Sequence, residues 1–270
     1  MPPLRLLAIL AHPDDESLGL GGTLAKYAAE GVETYLLTAT RGERGWFGDP
    51  DAYPGPEELG RIRESELLEA AGALGLKGVH FLDYHDGELH RANAGQAIMQ
   101  IVSYIRDLRP EVIITFDPNG AYGHPDHITI CQLASSALVA AADSGYSDAR
   151  NLGPHAVKKL YYMAWTREDF DVYEAAFGKL VMQIEGEMRQ ASGWDKWAIT
   201  TRLDTSAYWE TVRKAVYCHR TQLPGYDALL KLPEEYHKSL WGKQTFYRAI
   251  SLVDTGPGLE NDLFAGIRDS

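Results

Sequence analysis

The sequence predicts an α/β fold, with a mostly parallel sheet covered by helices and a smaller C-terminal capping region. Two observations predict it. Unbroken apolar runs such as Leu6-Leu7-Ala8-Ile9-Leu10 and Val112-Ile113-Ile114-Thr115-Phe116 suit strands covered on both faces. Segments of helical periodicity lie between such runs, and strands alternating with helices build βαβ units, whose crossovers are nearly always right-handed.

Taken in order, Leu6 to Leu10 is the first strand. A Gly-containing loop follows, then a helix from about Thr23 to Glu30. Val32 to Ala39 reads as the second strand. Gly42 to Gly60, rich in Gly, Pro and Asp, reads as a long loop, and such loops in compact domains often bind ligands. Glu57 to Leu74 is helical and stops at Gly75. Val79 to Leu82 is a short strand, Gly95 to Leu108 a helix ending before Pro110, Val112 to Phe116 a buried strand, Asp126 to Ala142 a helix and Leu160 to Trp165 a fifth strand. Beyond Glu168 the pattern is less regular, with helical stretches at Thr205 to His219 and Glu234 to Tyr247 and with Trp194, Trp197, Trp209 and Trp241. Residues 1–165 are expected to form the catalytic core. Residues 166–270 are expected to complete the sheet and wall the pocket, all within one integrated domain.

Composition narrows the function. The 270 residues carry a formal net charge of -12, which repels phosphate backbones and anionic lipid heads, so nucleic acid is an unsuitable partner and a small molecule a suitable one. No apolar run approaches the ~20 residues of a membrane helix. The opening apolar run leads straight into His12-Pro13-Asp14-Asp15, so it reads as a strand and not as a signal core. The two cysteines, Cys131 and Cys218, support neither a disulfide framework nor a zinc knuckle, and a reduced cytoplasm is the expected compartment. Gly19-Leu20-Gly21-Gly22 lacks the G-x-G-x-x-G spacing of a dinucleotide site.

Two tetrapeptides carry the chemistry. His12-Pro13-Asp14-Asp15 follows the first strand, and His124-Pro125-Asp126-His127 follows the strand ending near Phe116. Open α/β sheets bind ligands beyond the carboxyl ends of their strands, so both segments reach one rim. His12, Asp15 and His127 form the two-histidine, one-carboxylate set of a catalytic Zn2+ site, which keeps a position for water. Such an ion acidifies its water to a pKa of about 7. Asp14, next to the ligand Asp15, is placed to act as general base. His124 and Tyr122 are the candidates to donate to the developing oxyanion, His124 sharing a helix face with His127 at three-residue spacing.

These residues resemble the PIG-L/LmbE-like family of metal-dependent N-deacetylases. Its A-H-P-D-D-E segment stands here as Ala11 to Glu16 and its H-P-D-H segment as His124 to His127. The match is nearest to the branch that acts on mycothiol precursors and conjugates. Ile105 to Pro110, Asp117 to His124, His219-Arg220-Thr221-Gln222 and Glu260-Asn261-Asp262-Leu263 are similar to that branch.

The resemblance implies a Rossmann-like three-layer sandwich. It implies Zn2+, with Fe2+ or another divalent ion as the alternative, and the roles given above for His12, Asp15, His127, Asp14, His124 and Tyr122. It adds Arg63 and Asp86 as contacts to an N-acyl amino sugar. The loop Arg41 to Gly48 departs from the branch. Its Glu43 is a further candidate substrate contact, and Trp46 and Phe47 either stack on a substrate ring or pack the loop.

The expected activity is removal of acetyl from an N-acetylglucosaminyl-type amide. Asp14 or His124 would protonate the leaving amine. The alternatives are a conjugate amidase that cleaves larger acyl groups from a glucosaminyl amine, and a non-catalytic sugar- or metal-binding protein. A binding site has no use for Asp14 beside Asp15, which speaks against the latter. The sequence is compatible with a homo-oligomer.

Overall fold

Leu6 to Leu10 are wholly shielded from solvent, because the strand they form is the middle of the sheet. The computed structural model describes residues 2–148, 150–179, 181–184, 186–191 and 193–268. Strands β1 (Arg5–Leu10), β2 (Glu33–Thr40), β3 (Gly78–Tyr84), β4 (Val112–Thr115) and β5 (Lys159–Met163) pair in parallel in the order β3-β2-β1-β4-β5. β9 (Lys243–Ser251) adds antiparallel to β5, and β8 (Thr201–Asp204) adds antiparallel to β9, giving seven strands. Strand order reverses on either side of β1, so the crevice between the ends of β1 and β4 is the switch point where such sheets bind ligands.

Helices lie on both sides. α1 (Asp15–Ala29), α2 (Pro56–Leu74) and α7 (Trp209–Cys218) pack together, and α3 (Ala94–Leu108) packs against α5 (Pro125–Ala142). The single irregular turn α4 (Gly120–Gly123) precedes α5. The helix boundaries follow the local chemistry. Pro56 starts α2, and Gly75, at φ 79°, ends it by adopting the left-handed conformation that a Cβ would strain. Asn93 caps α3 by accepting from the Gln96 N–H at 3.0 Å.

The C-terminal part contains α6 (Arg167–Phe177), the hairpin β6 (Val181–Ile184) and β7 (Glu187–Gln190), the single turn α8 (Asp227–Leu230) and α9 (Glu234–Trp241). Trp209 and Trp241 share a second, smaller core with Tyr226, Leu229 and Leu240, whereas Trp197 is exposed. β8 is an edge strand, and the tail protects it: Arg202 N–H donates to the Glu260 carbonyl and Glu260 N–H to the Thr200 carbonyl. Among the described residues no helix is long and apolar enough to cross a membrane.

Two boundaries differ most from the sequence expectation. The first helix begins at Asp15 and not near Thr23, so the Gly19-Leu20-Gly21-Gly22 run is helical. The glycines let neighbours approach. A methyl placed on Gly22 would sit 2.7 Å from the Thr205 Cβ and 3.0 Å from the Trp241 carbonyl oxygen, and one on Gly21 would sit 3.0 Å from a Val212 methyl. The segment from Glu234 to Tyr247 is helical only to Trp241, after which the chain enters β9. The β-rich run Thr245-Phe246-Tyr247 pairs with β5, and pairing overrides the helical spacing.

Candidate metal and catalytic site

Ala11 and His12 leave the buried end of β1 and turn at once into α1. Asp14 makes the turn with φ 110°, a backbone state that costs a non-glycine residue about 1–3 kcal/mol and must be held by its surroundings. Glu16 holds it. Its Oε2 accepts from the Asp14 N–H at 3.0 Å, while Oε1 lies 2.8 Å from His219 Nε2 and accepts from Ser17. Glu16 and His219 are wholly buried. Burial opposes charge on both, yet each partner stabilises the other, so the Glu16 carboxyl is held below its ordinary range and His219 above its own.

The second segment arrives from β4. Asp117 caps the turn by accepting from the Ala121 N–H at 2.8 Å, and Trp194 Nε1 donates to its other oxygen at 3.0 Å. Gly120, Ala121 and Gly123 all have positive φ, which folds the loop tightly before Pro125 starts α5. His124 is the N-cap, its Nδ1 accepting from the Asp126 N–H at 3.2 Å. That bond leaves Nε2 as the protonated nitrogen of the neutral ring. His127 lies inside the first turn, stacked on Phe116 at 3.8 Å between ring centres.

The turn brings two ring nitrogens and one carboxylate together. His12 Nδ1 lies 3.2 Å from His127 Nε2 and 3.7 Å from Asp15 Oδ2, and His127 Nε2 lies 3.5 Å from Asp15 Oδ1. A tetrahedral ion with bonds of about 2.0–2.1 Å keeps its donors about 3.3 Å apart; the two nitrogens match that spacing, and Asp15 meets each of them with a different oxygen. Asp15 is held in place because Oδ2 accepts from the His12 N–H at 2.8 Å and the Ala11 N–H at 3.2 Å.

His12, His124 and His127 are also close enough to share an ion, as are His12, Asp86 and Asp126. The two carboxylates, however, meet the other nitrogen of His12: Nε2 lies 3.1 Å from Asp86 Oδ1 and 3.3 Å from Asp126 Oδ2. Asp126 is committed further, accepting from the Gly87 N–H at 2.6 Å and the Leu89 N–H at 3.1 Å. A carboxylate behind a ligating histidine fixes its tautomer and ring orientation. The arrangement can therefore hold a divalent ion on the Nδ1 side of His12 and support it from the Nε2 side.

Electrostatics agree with that division. Burial works against charge on His12, but hydrogen bonds to Asp126 and Asp86 override it and raise its pKa well above the ordinary value. Burial, with the charge of His12 nearby, drives His127 well below its ordinary value and His124 down to about 4. Burial lifts the Asp15 carboxyl to about 7, although His12 pulls the other way. Closely packed donors that resist sharing protons are what a bound cation would relieve.

The remaining expected residues surround this centre. Asp14 lies beside it, with Oδ2 accepting from Tyr226 at 2.6 Å and from Arg63 Nη2 at 3.1 Å. The Tyr122 ring centre is 5.5 Å from that of His127 and 6.1 Å from that of His124. Burial and the nearby carboxylates raise the Tyr122 phenol, keeping it protonated. Arg63 is buried, with Nη1 donating to the Gly42 carbonyl at 2.7 Å and Nη2 to Pro13 and Asp14. Asp86 is held low by His12 and by the Arg44 N–H against the cost of burial. Glu43 Oε1 accepts from the Asp86 N–H at 2.9 Å, and its buried Oε2 has no hydrogen-bond partner. Trp46 packs near Tyr53, and Phe47, largely exposed, lies over Gly225.

Sequence reasoning assigned no role to Asp126, Glu16, His219 or Tyr226. Asp126 and Glu16 lie inside the two motifs and were legible as motif members. His219 and Tyr226 come from more than 200 positions downstream and reach the site only through packing of the C-terminal part.

Residues 7–138 match the family model "PIG-L: GlcNAc-PI de-N-acetylase". The chain is 34% identical to a 1D-myo-inositol 2-acetamido-2-deoxy-alpha-D-glucopyranoside deacetylase of Streptomyces griseus, over 99% of this chain and 90% of that one. It is 33% identical to a mycothiol S-conjugate amidase of Streptomyces coelicolor, over 99% and 98%. Among solved structures, N,N'-diacetylchitobiose deacetylase from Pyrococcus horikoshii superposes with a TM-score of 0.69 at 22% identity, over 92% of this chain and 84% of that one, a likeness of fold.

Proposed function

The chain belongs to the PIG-L family of de-N-acetylases, enzymes that hydrolyse an amide C–N bond, and on that premise we propose that it is a zinc-dependent deacetylase of an N-acetylglucosaminyl-type small molecule. The observation that carries the proposal is the convergence of the His12 and His127 nitrogens with the Asp15 carboxylate, at approaches of 3.2–3.7 Å, with Asp14 next to Asp15 in the same turn. His12, Asp15 and His127 would hold the ion. When bound, it supplies a Lewis acid that acidifies water and polarises the acetyl carbonyl.

Asp14 accepts the proton of the attacking water. Its place in the turn after β1, set by Glu16, keeps it next to Asp15 in the chain and would leave it free of the ligand set. Tyr122 and the Nε2–H of His124 donate to the acetyl oxygen as it gains charge. Asp14 or His124 then delivers a proton to the departing amine. Arg63, Asp86 and Glu43 lie along the wall where the sugar would sit. Arg63 Nη2 donates to Asp14 and Asp86 Oδ1 faces His12, so part of their effect on substrate runs through those residues.

The test is Asp14→Asn in metal-replete protein. Metal content should be unchanged and acetate release from N-acetylglucosaminyl substrates should fall by about 10²- to 10⁴-fold, to a small residual rate. Turnover at the wild-type rate would remove Asp14 from the role of base. A second reading, cleavage of larger acyl groups, is favoured by the near-equal identity to the S-conjugate amidase. A panel of N-acetyl sugars set against bulky glucosaminyl amides separates the two, and free amine without acetate would select the amidase.

A further inference from the structure

We propose that Tyr226 is a positioning residue for the Asp14 carboxylate, an inference that rests on the reading of Asp14 as the base. The terminal torsion of an aspartate is broad, so an unsupported carboxylate presents either oxygen at many angles. Asp14 is anchored at one oxygen only. Oδ2 accepts from the Tyr226 hydroxyl at 2.6 Å and from Arg63 Nη2 at 3.1 Å, and Oδ1 makes no hydrogen bond among the described residues. Two donors on Oδ2 fix the plane of the group and leave Oδ1 to take the proton.

The anchor is itself built to be rigid. Arg63 also donates to the Pro13 and Gly42 carbonyls. Tyr226 is buried in the second core, and its segment is clipped to the loop that departs from the family pattern. Gln222 Nε2 donates to the Gly45 carbonyl at 2.8 Å, and the Phe47 ring lies so close over Gly225 that a methyl there would sit 2.9 Å from Phe47 Cγ. Packing alone would accept phenylalanine at 226. The hydroxyl adds a short hydrogen bond to a carboxylate, among the stronger kinds available to a neutral donor. The base and the substrate-side loop thus share one support, supplied by residues 222–226.

The experiment is a double-mutant cycle on metal-replete enzyme, with acetate release as the readout and elemental analysis and Tm as controls. Tyr226→Phe should lower kcat by about tenfold or more with KM within about twofold and metal content unchanged. In the Asp14→Asn background the same change should cause no further loss, because Tyr226 acts through that carboxylate. A kcat equal to or above wild type for Tyr226→Phe, or an equal fold-loss in both backgrounds, overturns the proposal. Wild-type turnover by Asp14→Asn alone would instead remove the base assignment. Should Tyr226→Phe fail to fold, Gln222→Ala, which releases the clip at Gly45, carries the same cycle with the same two outcomes.

Discussion

His12 Nδ1 lies 3.2 Å from His127 Nε2, although the two residues are 115 positions apart in the chain. If that contact is half of a metal site, removing either ring abolishes binding. Zinc titrated into metal-stripped protein should raise Tm, by about 2.7 kcal/mol of stabilisation at one hundred times Kd. His127→Ala should show no zinc-dependent rise and no metal after dialysis. A zinc-dependent rise of normal size in that variant would refute the assignment.

Asp126 supports His12 at Nε2 and pins the Gly87 and Leu89 N–H groups at once. Asp126→Asn keeps the shape and loses the charge. Metal affinity, measured by competition with a chelator, should weaken by about 10- to 100-fold. An unchanged affinity would show that Asp86 alone suffices behind His12.

Tyr122 offers a protonated phenol at the rim of the site. Tyr122→Phe should lower kcat by about 10- to 1,000-fold, the range for losing one oxyanion donor, with KM moved less than about threefold. A rise in KM with kcat intact would make it a substrate-binding residue instead.

Gly22 lets α1 meet Thr205 and the Trp241 carbonyl. Gly22→Ala should cost about 1–3 kcal/mol through overpacking, despite the better helix propensity of alanine. Thermal unfolding should show a Tm lower by at least about 2 °C. An unchanged or higher Tm would mean that the neighbours move apart freely.

Glu260 accepts from Lys159 at 2.8 Å, Tyr161 at 2.8 Å and Thr201 at 2.7 Å, and these bonds hold its carboxyl below the ordinary value of 4.5 against the cost of burial. A depressed folded value adds stability above the unfolded pKa and loses it as pH falls through the folded one. Tm should therefore drop as pH goes below about 4.5. Glu260→Gln should be less stable at pH 7 and show a shallower acid-side decline. Parallel acid-side curves for the two proteins would place the loss elsewhere.

The layered core and the convergence of His12, Asp15 and His127 were legible because both depend on short-range patterns. Strands buried on both faces favour continuous apolar runs, as Leu6 to Leu10 and Val112 to Ile114 are, and strand-end histidines in a fold of this type point to one rim. The first helix was misjudged at its start because glycine has poor helix propensity on its own, and the close neighbours that favour it here, Val212, Thr205 and Trp241, arrive from far along the chain. Arg63 was expected as a substrate contact from the resemblance alone, and its charged neighbours Arg61, Glu64 and Glu66 give no sign that α2 turns it inward to donate to Asp14. Tyr226 carries no motif at all. Its partner is 212 positions earlier, and only the packing of the C-terminal part makes the pair.

The central place of β1 has a consequence for biosynthesis. β1 needs a neighbour on each side, and one of them, β4, is not translated until Val112–Thr115. Through all the intervening synthesis Leu6 to Leu10 wait with one backbone edge open and an apolar face uncovered. A nascent chain in that state is a natural client for chaperones that shield greasy segments, and slowing translation between β3 and β4 would lengthen its exposure to aggregation.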